Sequence, residues 1–561
     1  MMQTKPRIDL IWLAHDEPPP TWALGEVWAV APAPGPVRDI MQRLVTRSDA
    51  AAFLFWSGQL GAPDAEAIAG VYTQPGNLWH AGLRLGMGGQ PGLMDFVRPT
   101  WMFNCDPDPT IEATSWRLSL DACLIQRDVL DQMGGVSAGF HTLAGAALEL
   151  GHRYITQGVL TRHVPQMVPA SAERRSQPVA LPFADELRFA LMRFGRSWAM
   201  WALARAILSG YVMPNAALSA WREVYRGAAS PVPTIFNGAG EPPALAGATA
   251  AVSVIIPTID RYPYLQTLLG QLGEQTTATA EIIVVDQTPA ARRDAGLYAA
   301  FSGLPLRVIY QEQAGQCTSR NRAIRESTGD YILFLDDDDE IPPDLIEKHL
   351  NNLNRHRVDV SCGAADEVGA GPLPAHFTYR RASDVFPTNN SLIRRDILCD
   401  SGLFDLAYNT GQRADGDLGM RVYLSGKAAI YNPDIRVLHH HAPRGGLRTH
   451  KARVITYASS RQKLTHRHLP SVSEIYLMKR YFTPRQVRES LWLRVFGTFA
   501  IRGGLFRKLL KVLISTVCLP HTLYEVRKRV KAAGRMLQEY PQIPTLLGDK
   551  REAQQAPSSC R

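Results

Sequence analysis

Residues 328–340 read TGDYILFLDDDDE, and this stretch decides both the fold and where a site should lie. An apolar, β-prone run from Tyr331 to Leu335 follows a turn-forming Gly–Asp pair. Five acidic residues come directly after the run. The pattern predicts a buried strand whose carboxyl end carries a cluster of carboxylates.

Three similar apolar runs lie upstream, at 252–256, 281–285 and 306–310, with helix-like stretches between them. Short β-rich runs that alternate with helical patterns predict a parallel, doubly wound α/β sheet. In such folds ligands bind just beyond the carboxyl ends of the strands. We therefore expect the residues that follow each run, above all the acids after Leu335, to form a site.

The acidic run itself predicts a bound cation. Neighbouring carboxylates repel one another and are costly to keep ionised unless a cation joins them. Hard oxygen ligands suit Mg²⁺ or Mn²⁺, which bind through one or two carboxylates together with substrate phosphates. The alternative is an acidic surface turn, or carboxylates that cap a helix expected to begin near Pro342. The position at the end of a strand favours the metal site.

Composition bounds the class of protein. At 561 residues and 62.0 kDa the chain is too long for one hydrophobic core, and its 45% hydrophobic and 20% charged residues are typical of globular proteins. The seven cysteines are scattered without a CxxC pair, which argues against a zinc site or a disulfide framework and for a reducing compartment. No apolar stretch approaches the roughly 18 residues of a membrane span, so we expect a cytoplasmic protein.

The net charge of +9 is unevenly distributed, with Lys and Arg gathered after residue 440. Three interpretations stay open, namely a solvated helix face, an acidic membrane surface and a diphosphate-bearing substrate. Nucleic acid is disfavoured because the sequence has no recognisable nucleic-acid-binding motif. The Trp-, Phe- and Leu-rich stretches 183–210 and 491–519 leave a similar choice between interfacial membrane helices and helices that pack on the α/β units.

The chain also repeats part of itself. Residues 124–158 and 392–426 align without gaps and share 12 identities in 35 positions, where chance gives about two or three. The differences lie at the acids, because 56–59 (WSGQ) stands in place of 336–339 (DDDD) and Ala147 in place of Asp415. The first copy is also shorter by about one strand–helix unit. We expect a first α/β unit of the same fold that has lost the acidic chemistry of the second.

Several ordered motifs resemble the conserved core of the family 2 glycosyltransferases, which are inverting enzymes with a GT-A (Rossmann-like, nucleotide-diphospho-sugar transferase) fold. They are the opening strand through PT at 257–258, VVD at 284–286, AGQCTSRNRAI at 314–324, TGDYILFLDDDD at 328–339, TNNSLIRR at 388–395 and DGDLGMR at 415–421. The resemblance covers about 200 of the 561 residues. It implies two GT-A-like α/β domains in tandem with helical flanking segments.

The resemblance and the composition together predict the domain organisation. We expect a degenerate transferase-like domain at 1–170, a helical segment at 171–226, a Pro-, Gly- and Ala-rich linker at 227–250, a catalytic domain at 251–455, a basic helical region at 456–540 and a disordered tail at 541–561.

The resemblance implies roles for the acids. Asp286 would hydrogen-bond the nucleotide base, Asp336 would approach the ribose, and Asp338 would bind the metal that bridges the diphosphate. Asp415 matches the general base that takes the proton of the acceptor hydroxyl, and Asp417 is its substitute. The alternative for both is a helix N-terminal carboxylate that interacts with the helix dipole.

Further donor contacts are implied for residues that surround these acids. They are Pro257, Thr258, Arg320, Asn321 and Asp337. Helix capping or packing is the alternative for the Arg–Asn pair. The sequence departs from the family pattern at Ala414, where the family usually has Glu, and at Gln287, where it often has a second Asp. These departures bear on the identity of the substrate more than on the class of reaction.

Histidines and arginines after residue 435 complete the predicted site. His439 and His441 follow a strand-like run, would lie on one side of an extended chain, and together with Asp338 are the predicted metal ligands. A structural role is the alternative for His441, because His163 occupies a similar position in the acid-free copy. Arg444 and Arg448 flank two glycines in a basic loop suited to close over a diphosphate, with a plain surface loop as the alternative.

The expected reaction is transfer of a sugar from a UDP- or dTDP-linked donor to a hydroxyl of a glycan or lipid-linked acceptor, with Mn²⁺ or Mg²⁺ as cofactor. Bacterial surface polysaccharide synthesis is the natural setting, and it allows peripheral contact with the inner face of the plasma membrane. A sugar nucleotidyltransferase would need a glycine-rich basic loop after the first strand, which residues 257–262 lack. A non-catalytic glycan- or nucleotide-binding scaffold with both domains inactive stays open because of Ala414.

Overall fold

The computed structural model describes residues 6–15, 17–83, 93–168, 181–226, 234–238, 250–369, 371–442 and 464–546. Within these ranges the chain forms two β-sheets, each with helices packed on it, and a helical region at the C-terminal side. The predicted fold class, with two α/β units and helical flanking segments, is thereby confirmed.

The first sheet has seven strands. They are β1 (Ile8–Leu13), β2 (Val27–Val30), β3 (Ala52–Ser57), β4 (Leu78–His80), β5 (Ala113–Thr114), β6 (Ala122–Gln126) and β7 (Thr161–His163). Their order across the sheet is β2-β1-β3-β6-β4-β7-β5. Strands β2, β1 and β3 are parallel, β6 is antiparallel to both of its neighbours, and β7 runs parallel to β4.

Eight helices accompany this sheet in the described residues. They are α1 (Pro34–Arg47), α2 (Ala65–Tyr72), α3 (Met94–Val97), α4 (Arg127–Met133), α5 (Leu143–Thr156), α6 (Phe183–Phe194), α7 (Arg196–Leu208) and α8 (Pro214–Arg226). The break between α6 and α7 falls at Gly195, whose φ of +79° suits a residue without a side chain.

The second sheet has nine strands. They are β8 (Val252–Thr258), β9 (Glu281–Asp286), β10 (Leu306–Tyr310), β11 (Tyr331–Phe334), β12 (Asp339–Glu340), β13 (Val360–Glu367), β14 (Arg381–Ala382), β15 (Ser391–Arg394) and β16 (Ala429–His439). The order is β10-β9-β8-β11-β15-β13-β16-β12, and β14 also pairs with β16.

The four strands predicted from the sequence form the parallel part of this sheet, β10-β9-β8-β11. Beyond β11 the sheet is mixed, because β15 runs antiparallel to both β11 and β13. Strand β15 follows β13 through turns and a short strand, and an antiparallel neighbour needs no crossover helix.

The helices of the second unit connect its parallel strands and flank the later ones. They are α9 (Tyr262–Gly273), α10 (Ala295–Ala299), α11 (Gln316–Glu326), α12 (Leu345–His356), α13 (Ile397–Ser401) and α14 (Ala414–Leu424).

Both sheets share one topology. The order β9-β8-β11-β15-β13-β16 in the second sheet repeats β2-β1-β3-β6-β4-β7 in the first, with the same parallel and antiparallel relations at every step. Strand β10 has no counterpart in the first sheet, which matches the shorter first copy in the sequence. The shared order supports an origin by duplication.

The two units pack directly on each other. A hydrogen bond of 2.7 Å joins the indole N–H of Trp101 to Asp384, and Arg162 donates to the backbone carbonyl of Gly426 at 3.1 Å. The rings of Phe103 and Tyr423 lie 5.3 Å apart within one buried apolar cluster that contains residues of both sheets. The relative position of the two units therefore rests on buried contacts.

The C-terminal region consists of four helices: α15 (Val472–Tyr481), α16 (Pro484–Gly497), α17 (Leu505–Val517) and α18 (Leu519–Glu539). In the part of the chain that the structure describes, no single helix has the length and apolar composition of a membrane span. The pair formed by α17 and α18, which meet at an angle of 61°, has that length and composition only when the two are taken together.

Two segments predicted to lack structure make specific contacts instead. Phe236, inside the expected linker, is 6% exposed and donates its backbone N–H to the carbonyl of Gln157. Residues 541–546, expected in the disordered tail, dock on the second unit, where Leu546 is buried and the carbonyl of Pro544 accepts from Leu403. Isolated apolar residues in Pro-rich stretches give no periodic pattern, which is why the sequence did not reveal these contacts.

We predict that Gly426→Ala destabilises the protein more than Gly134→Ala. Both glycines have positive φ, +82° and +68°, which costs an alanine about 1–2 kcal/mol. Only Gly426 has a backbone carbonyl, that of Glu112 in the first unit, where a Cβ would lie. Overpacking there should add about 1–3 kcal/mol. Thermal denaturation of both variants checks this, and equal shifts in Tm would show that the close approach between the units is unimportant.

Candidate active site

The acidic run lies where β11 ends, beside the carboxyl ends of β8 and β9. The chain turns immediately after the strand, and this turn is closed by the backbone N–H of Asp336, which donates to the Oδ2 atom of Asp339 at 2.8 Å. Strand β12 then pairs antiparallel with β16, and this pairing sets Asp339 opposite His439. Sheet pairing thus brings together acids and a histidine that are 100 residues apart in the chain.

Three side chains converge in a geometry that suits a metal ion. Asp336, Asp338 and His439 each offer one ligand atom, and the three atoms lie within 4.8 Å of one another. Asp338 and His439 are 1% and 6% exposed, and Asp336 is half-buried. Two carboxylates and an imidazole form a donor set that fits Mn²⁺ or Mg²⁺.

The ionisation of these groups is strongly coupled. Burial lowers the pKa of His439, but its hydrogen bond to Asp339 at 2.8 Å and the nearby carboxylates raise it to about 9. Burial acts in the opposite direction on Asp338, whose pKa is nevertheless lowered by His439, by Arg261 and by the backbone N–H of Ala442. The pKa of Asp339 is raised, chiefly by burial. Burial and close pairing therefore act against each other in this cluster, and His439 and Arg261 stabilise the neighbouring carboxylates.

Arg261, in the loop after β8, contacts two of the acids. Its guanidinium lies 3.0 Å from Asp337 and 3.1 Å from Asp338. The hydroxyl of Thr258 donates to the other oxygen of Asp337 at 2.8 Å. Burial raises the pKa of Asp337 even against these two partners. Thr258 and Asp337, both predicted donor contacts, are thus linked to each other, and the neighbouring Pro257 is half-buried at the end of β8.

The two residues of the predicted Arg–Asn pair make different contacts. Arg320 on α11 is 6% exposed and donates to Asp336 at 2.6 Å, so it lies at the site. Asn321 turns away, because its side-chain amide donates to the carbonyl of Phe404 and its oxygen accepts the N–H of the same residue, both at 2.8 Å. A side chain fully occupied by a backbone segment is a packing element, which was the alternative interpretation of Asn321.

Asp286, at the end of β9, is fully buried and already hydrogen-bonded. Its Oδ2 atom accepts from the hydroxyls of Tyr262 and Tyr298, each at 2.8 Å, and its Oδ1 atom accepts from the N–H of Thr288 at 2.9 Å. The bond from this carboxylate to a nucleotide base stays a prediction. In the structure Asp286 instead fixes two aromatic rings whose centroids are 6.3 Å apart.

The predicted ligand His441 differs from His439. Its backbone has a φ of +51°, so the extended alternation assumed in the sequence ends there. The two rings are 4.3 Å apart, but His441 faces Glu367 at 3.4 Å, and the cluster with metal-site geometry contains Asp336 in its place. His440 pairs with Glu340 at 2.6 Å. Arg444 and Arg448 lie outside the described residues.

Asp415 is exposed in the first turn of α14. The loop before this helix is fastened to the N-terminal end of α11, where the side chain of Asn409 accepts from the N–H groups of Cys317 and Thr318, each at 3.1 Å. Gly315 makes this approach possible, because a Cβ there would overlap the Asn409 side chain. The turn with Asp415 is thereby held beside the helix that carries Arg320.

Asp417 is buried, and both of its carboxylate oxygens accept hydrogen bonds from other side chains. Its Oδ2 atom accepts from Arg421 at 2.9 Å and its Oδ1 atom from the hydroxyl of Tyr481 at 2.7 Å. The guanidinium of Arg421 also donates to the carbonyl of Ser401. Neither oxygen of Asp417 is open to an acceptor hydroxyl, so its geometry disfavours the substitute-base role.

The acid-free copy contains the same arrangement. Glu149 corresponds to Asp417 in the alignment, is fully buried, and pairs with Arg153 at 3.2 Å. Arg153 also donates to the carbonyl of Met133, the residue that aligns with Ser401. A carboxylate–arginine pair that persists where the other acids are missing serves the fold. Ala147, which aligns with Asp415, is buried.

Backbone strain is concentrated around these residues. Among the described residues other than glycine, four have positive φ, and three of them border the site: Asp260 after β8, Arg413 before α14 and His441 after β16. Such conformations cost about 1–3 kcal/mol each and persist where the surrounding structure enforces them, often at functional sites.

Sequence reasoning missed several residues of the site. Arg261 and Tyr262 directly follow β8, so the strand-end rule applied to residues 257–262 would have found them. Tyr298 on α10 and Asn409 in the loop before α14 had no signal, because each reaches the site through tertiary packing alone.

Parts of this chain are similar to known proteins. Residues 253–415 match the model of the glycosyl transferase family 2. The uncharacterized glycosyltransferase YwdF of Bacillus subtilis is 37% identical over 167 residues, which are 28% of this chain and 62% of that protein. The amylovoran biosynthesis glycosyltransferase AmsB of Erwinia amylovora is 34% identical over 107 residues, which are 18% of this chain and 36% of that protein. The chain therefore spans less than two thirds of the length of either relative.

Among solved structures, the mannosyltransferase PcManGT of Pyrobaculum calidifontis, in complex with GDP-Man and Mn²⁺, aligns with a TM-score of 0.36 and 17% identity. The alignment covers 63% of this chain and 97% of that chain.

We predict that only one of the two aspartates of α14 contributes strongly to stability. Asp417→Asn should destabilise the protein by about 3–5 kcal/mol, because it leaves the buried guanidinium of Arg421 without its counter-charge. Asp415→Asn, at an exposed position, should change stability by no more than about 0.5 kcal/mol. Chemical denaturation of both variants tests this. A stable Asp417→Asn protein would reopen Asp417 as a functional acid.

Proposed function

Because residues 253–415 match the model of the glycosyl transferase family 2, we propose that the chain is a metal-dependent, inverting glycosyltransferase. It transfers a sugar from a UDP- or dTDP-linked donor to a hydroxyl of a glycan or lipid-linked acceptor. The observation that carries this proposal is the convergence of Asp336, Asp338 and His439 within 4.8 Å at the carboxyl end of a sheet strand.

Asp336, Asp338 and His439 would hold the cation, either Mn²⁺ or Mg²⁺. When bound, the cation supplies positive charge to the departing nucleoside diphosphate. Arg320 is bonded to Asp336 and so fixes the orientation of that carboxylate. Arg261, held between Asp337 and Asp338, places a second guanidinium at the same edge of the sheet, where negative charge develops on the leaving group.

Asp415 is the proposed general base. It is exposed, so an acceptor hydroxyl can approach it, and no side-chain partner competes for its proton-accepting oxygens in the way that Tyr481 and Arg421 do at Asp417. Attack by the deprotonated hydroxyl from the face opposite the diphosphate inverts the anomeric carbon.

The setting proposed is bacterial surface polysaccharide synthesis in the cytoplasm. AmsB is named as an amylovoran biosynthesis glycosyltransferase, and TuaG of Bacillus subtilis, 31% identical over 101 residues, is named as a putative teichuronic acid biosynthesis glycosyltransferase. The six described cysteines are all free thiols, which supports a reducing compartment.

Calorimetry with UDP and dTDP tests the donor site. We expect binding that requires Mn²⁺ in the wild type and is at least tenfold weaker in Asp338→Ala, because the buried metal ligand is lost. Asp336→Ala, at a half-buried position, should weaken binding similarly. Asp400→Ala removes an exposed carboxylate of α13 and serves as the matched control with unchanged binding. If folded wild type binds neither nucleotide in the presence of Mn²⁺, the non-catalytic scaffold becomes the better account.

Asp415→Asn tests the base. With the donor that binds best, we expect the rate of diphosphate release in the presence of acceptor to fall about 10²–10⁴-fold, the usual contribution of a general base. The Kd for the nucleotide should stay unchanged, since Asp415 does not touch the metal cluster. A variant with wild-type turnover would exclude Asp415 as the base without affecting the donor-site proposal.

A further inference from the structure

Helix α17 presents polar side chains to the protein and apolar side chains to the outside, the reverse of a typical surface helix of a soluble protein. The inward side chains are polar, with Lys511 2% and Ser515 3% exposed. The ammonium of Lys511 donates to the carbonyls of Leu464 and His466 at 2.7 and 2.9 Å, and the hydroxyl of Ser515 donates to Thr498 at 2.8 Å. The helix is therefore anchored to the protein by hydrogen bonds rather than by its apolar face.

The outward face of α17 is apolar and open. Six side chains form it: Leu505 (73% exposed), Phe506 (77%), Leu509 (60%), Val512 (46%), Leu513 (62%) and Val517 (73%). They recur at intervals of three, four and one residues, so they form one continuous stripe along the helix. A contiguous apolar stripe left in water is unfavourable, which indicates that another apolar phase covers it.

The positive charge around this stripe indicates which kind of apolar surface covers it. Residues 464–546 contain 15 Lys and Arg against four Asp and Glu, and this net charge of +11 exceeds the net charge of +9 of the whole chain. Eight of these cations are exposed: Arg488, Arg502, Arg507, Lys508, Arg527, Lys528, Lys531 and Arg535. A second copy of the chain would bring two such basic surfaces together, and their mutual repulsion opposes dimerisation through α17. An anionic lipid surface complements both the apolar stripe and the charge.

The neighbouring helices α16 and α18 also expose apolar and basic side chains. Trp492 and Phe496 on α16 are exposed and stacked with centroids 5.6 Å apart. Between α16 and α18 lies an open groove of about 1060 Å³, with an apolar floor and cations such as Arg488, Lys531 and Arg535 among its lining residues but no carboxylate. Aromatic rings at an apolar boundary and cations beside an apolar groove are features of surfaces that contact lipid head groups.

We infer that α17 is an interfacial membrane helix, which lies in the plane of an anionic bilayer with Leu505, Leu509 and Leu513 inserted below the head groups. Its 13 residues span about 20 Å, short of the roughly 30 Å hydrocarbon core, and the exposed cations of α18 disfavour a crossing by the bent pair of α17 and α18, so the helix lies on the membrane. The surface is separate from the acidic cluster, so membrane binding does not depend on the proposed sugar transfer.

Vesicle co-sedimentation of the full chain, without nucleotide, tests this inference. The probes are vesicles of phosphatidylcholine alone and of phosphatidylcholine with 30% phosphatidylglycerol. We expect binding to the anionic vesicles that falls at least tenfold in Leu509→Glu/Leu513→Glu, and about tenfold or more in Arg502→Ala/Lys508→Ala. Leu208→Glu/Leu218→Glu is the matched control, because these leucines are 76% and 50% exposed on α7 and α8, and it should bind like the wild type.

Thermal denaturation establishes that each variant is folded, which the exposure of the substituted residues leads us to expect. Equal vesicle binding by wild type and Leu509→Glu/Leu513→Glu would overturn the inference. So would a wild-type chain that ignores vesicles but forms a dimer that the same variant dissociates, since the stripe would then be covered by a second copy.

Discussion

Four consecutive aspartates, Asp336 to Asp339, stand at the end of a buried strand, and their mutual repulsion has to be balanced by cations close by. Arg261, Arg320 and His439 provide this balance from the loop after β8, from α11 and from the end of β16. These elements meet only because the strand order puts β8 beside β11 and pairs β16 with β12. Without that order, the carboxylates would be buried without partners, at a cost of several kcal/mol each.

The sequence predicted the parallel strands and the position of the acids at a strand end because each depends on local pattern. The sequence could not predict which acidic side chains are free to contact a substrate, because that depends on hydrogen bonds to residues that are distant in the chain. Asp417 and Asp415 are two residues apart on one helix, yet only Asp417 meets a guanidinium and a tyrosine hydroxyl. In the same way Asp286 is held by two tyrosines, and Asn321 by the backbone of Phe404, through contacts between distant parts of the chain.

The comparison of the two units separates what the fold needs from what the chemistry needs. Both keep the strand order and the buried carboxylate–arginine pair, Glu149 with Arg153 and Asp417 with Arg421. Only the second has acids after β11, the strand that corresponds to β3, and an exposed Asp415. The C-terminal helices add a basic, apolar surface that neither sheet requires. The protein therefore combines a retained scaffold, one acidic centre and one surface suited to lipid.

The most direct test of the account is the anomalous diffraction of manganese in crystals grown with Mn²⁺ and UDP. We predict one strong peak coordinated by carboxylate oxygens of Asp336 and Asp338 and by a ring nitrogen of His439, next to the diphosphate. A crystal that contains UDP but shows no manganese at these residues, or shows it at His441 and Glu367 instead, would contradict the central claim that the acidic run after β11 is the metal-binding centre.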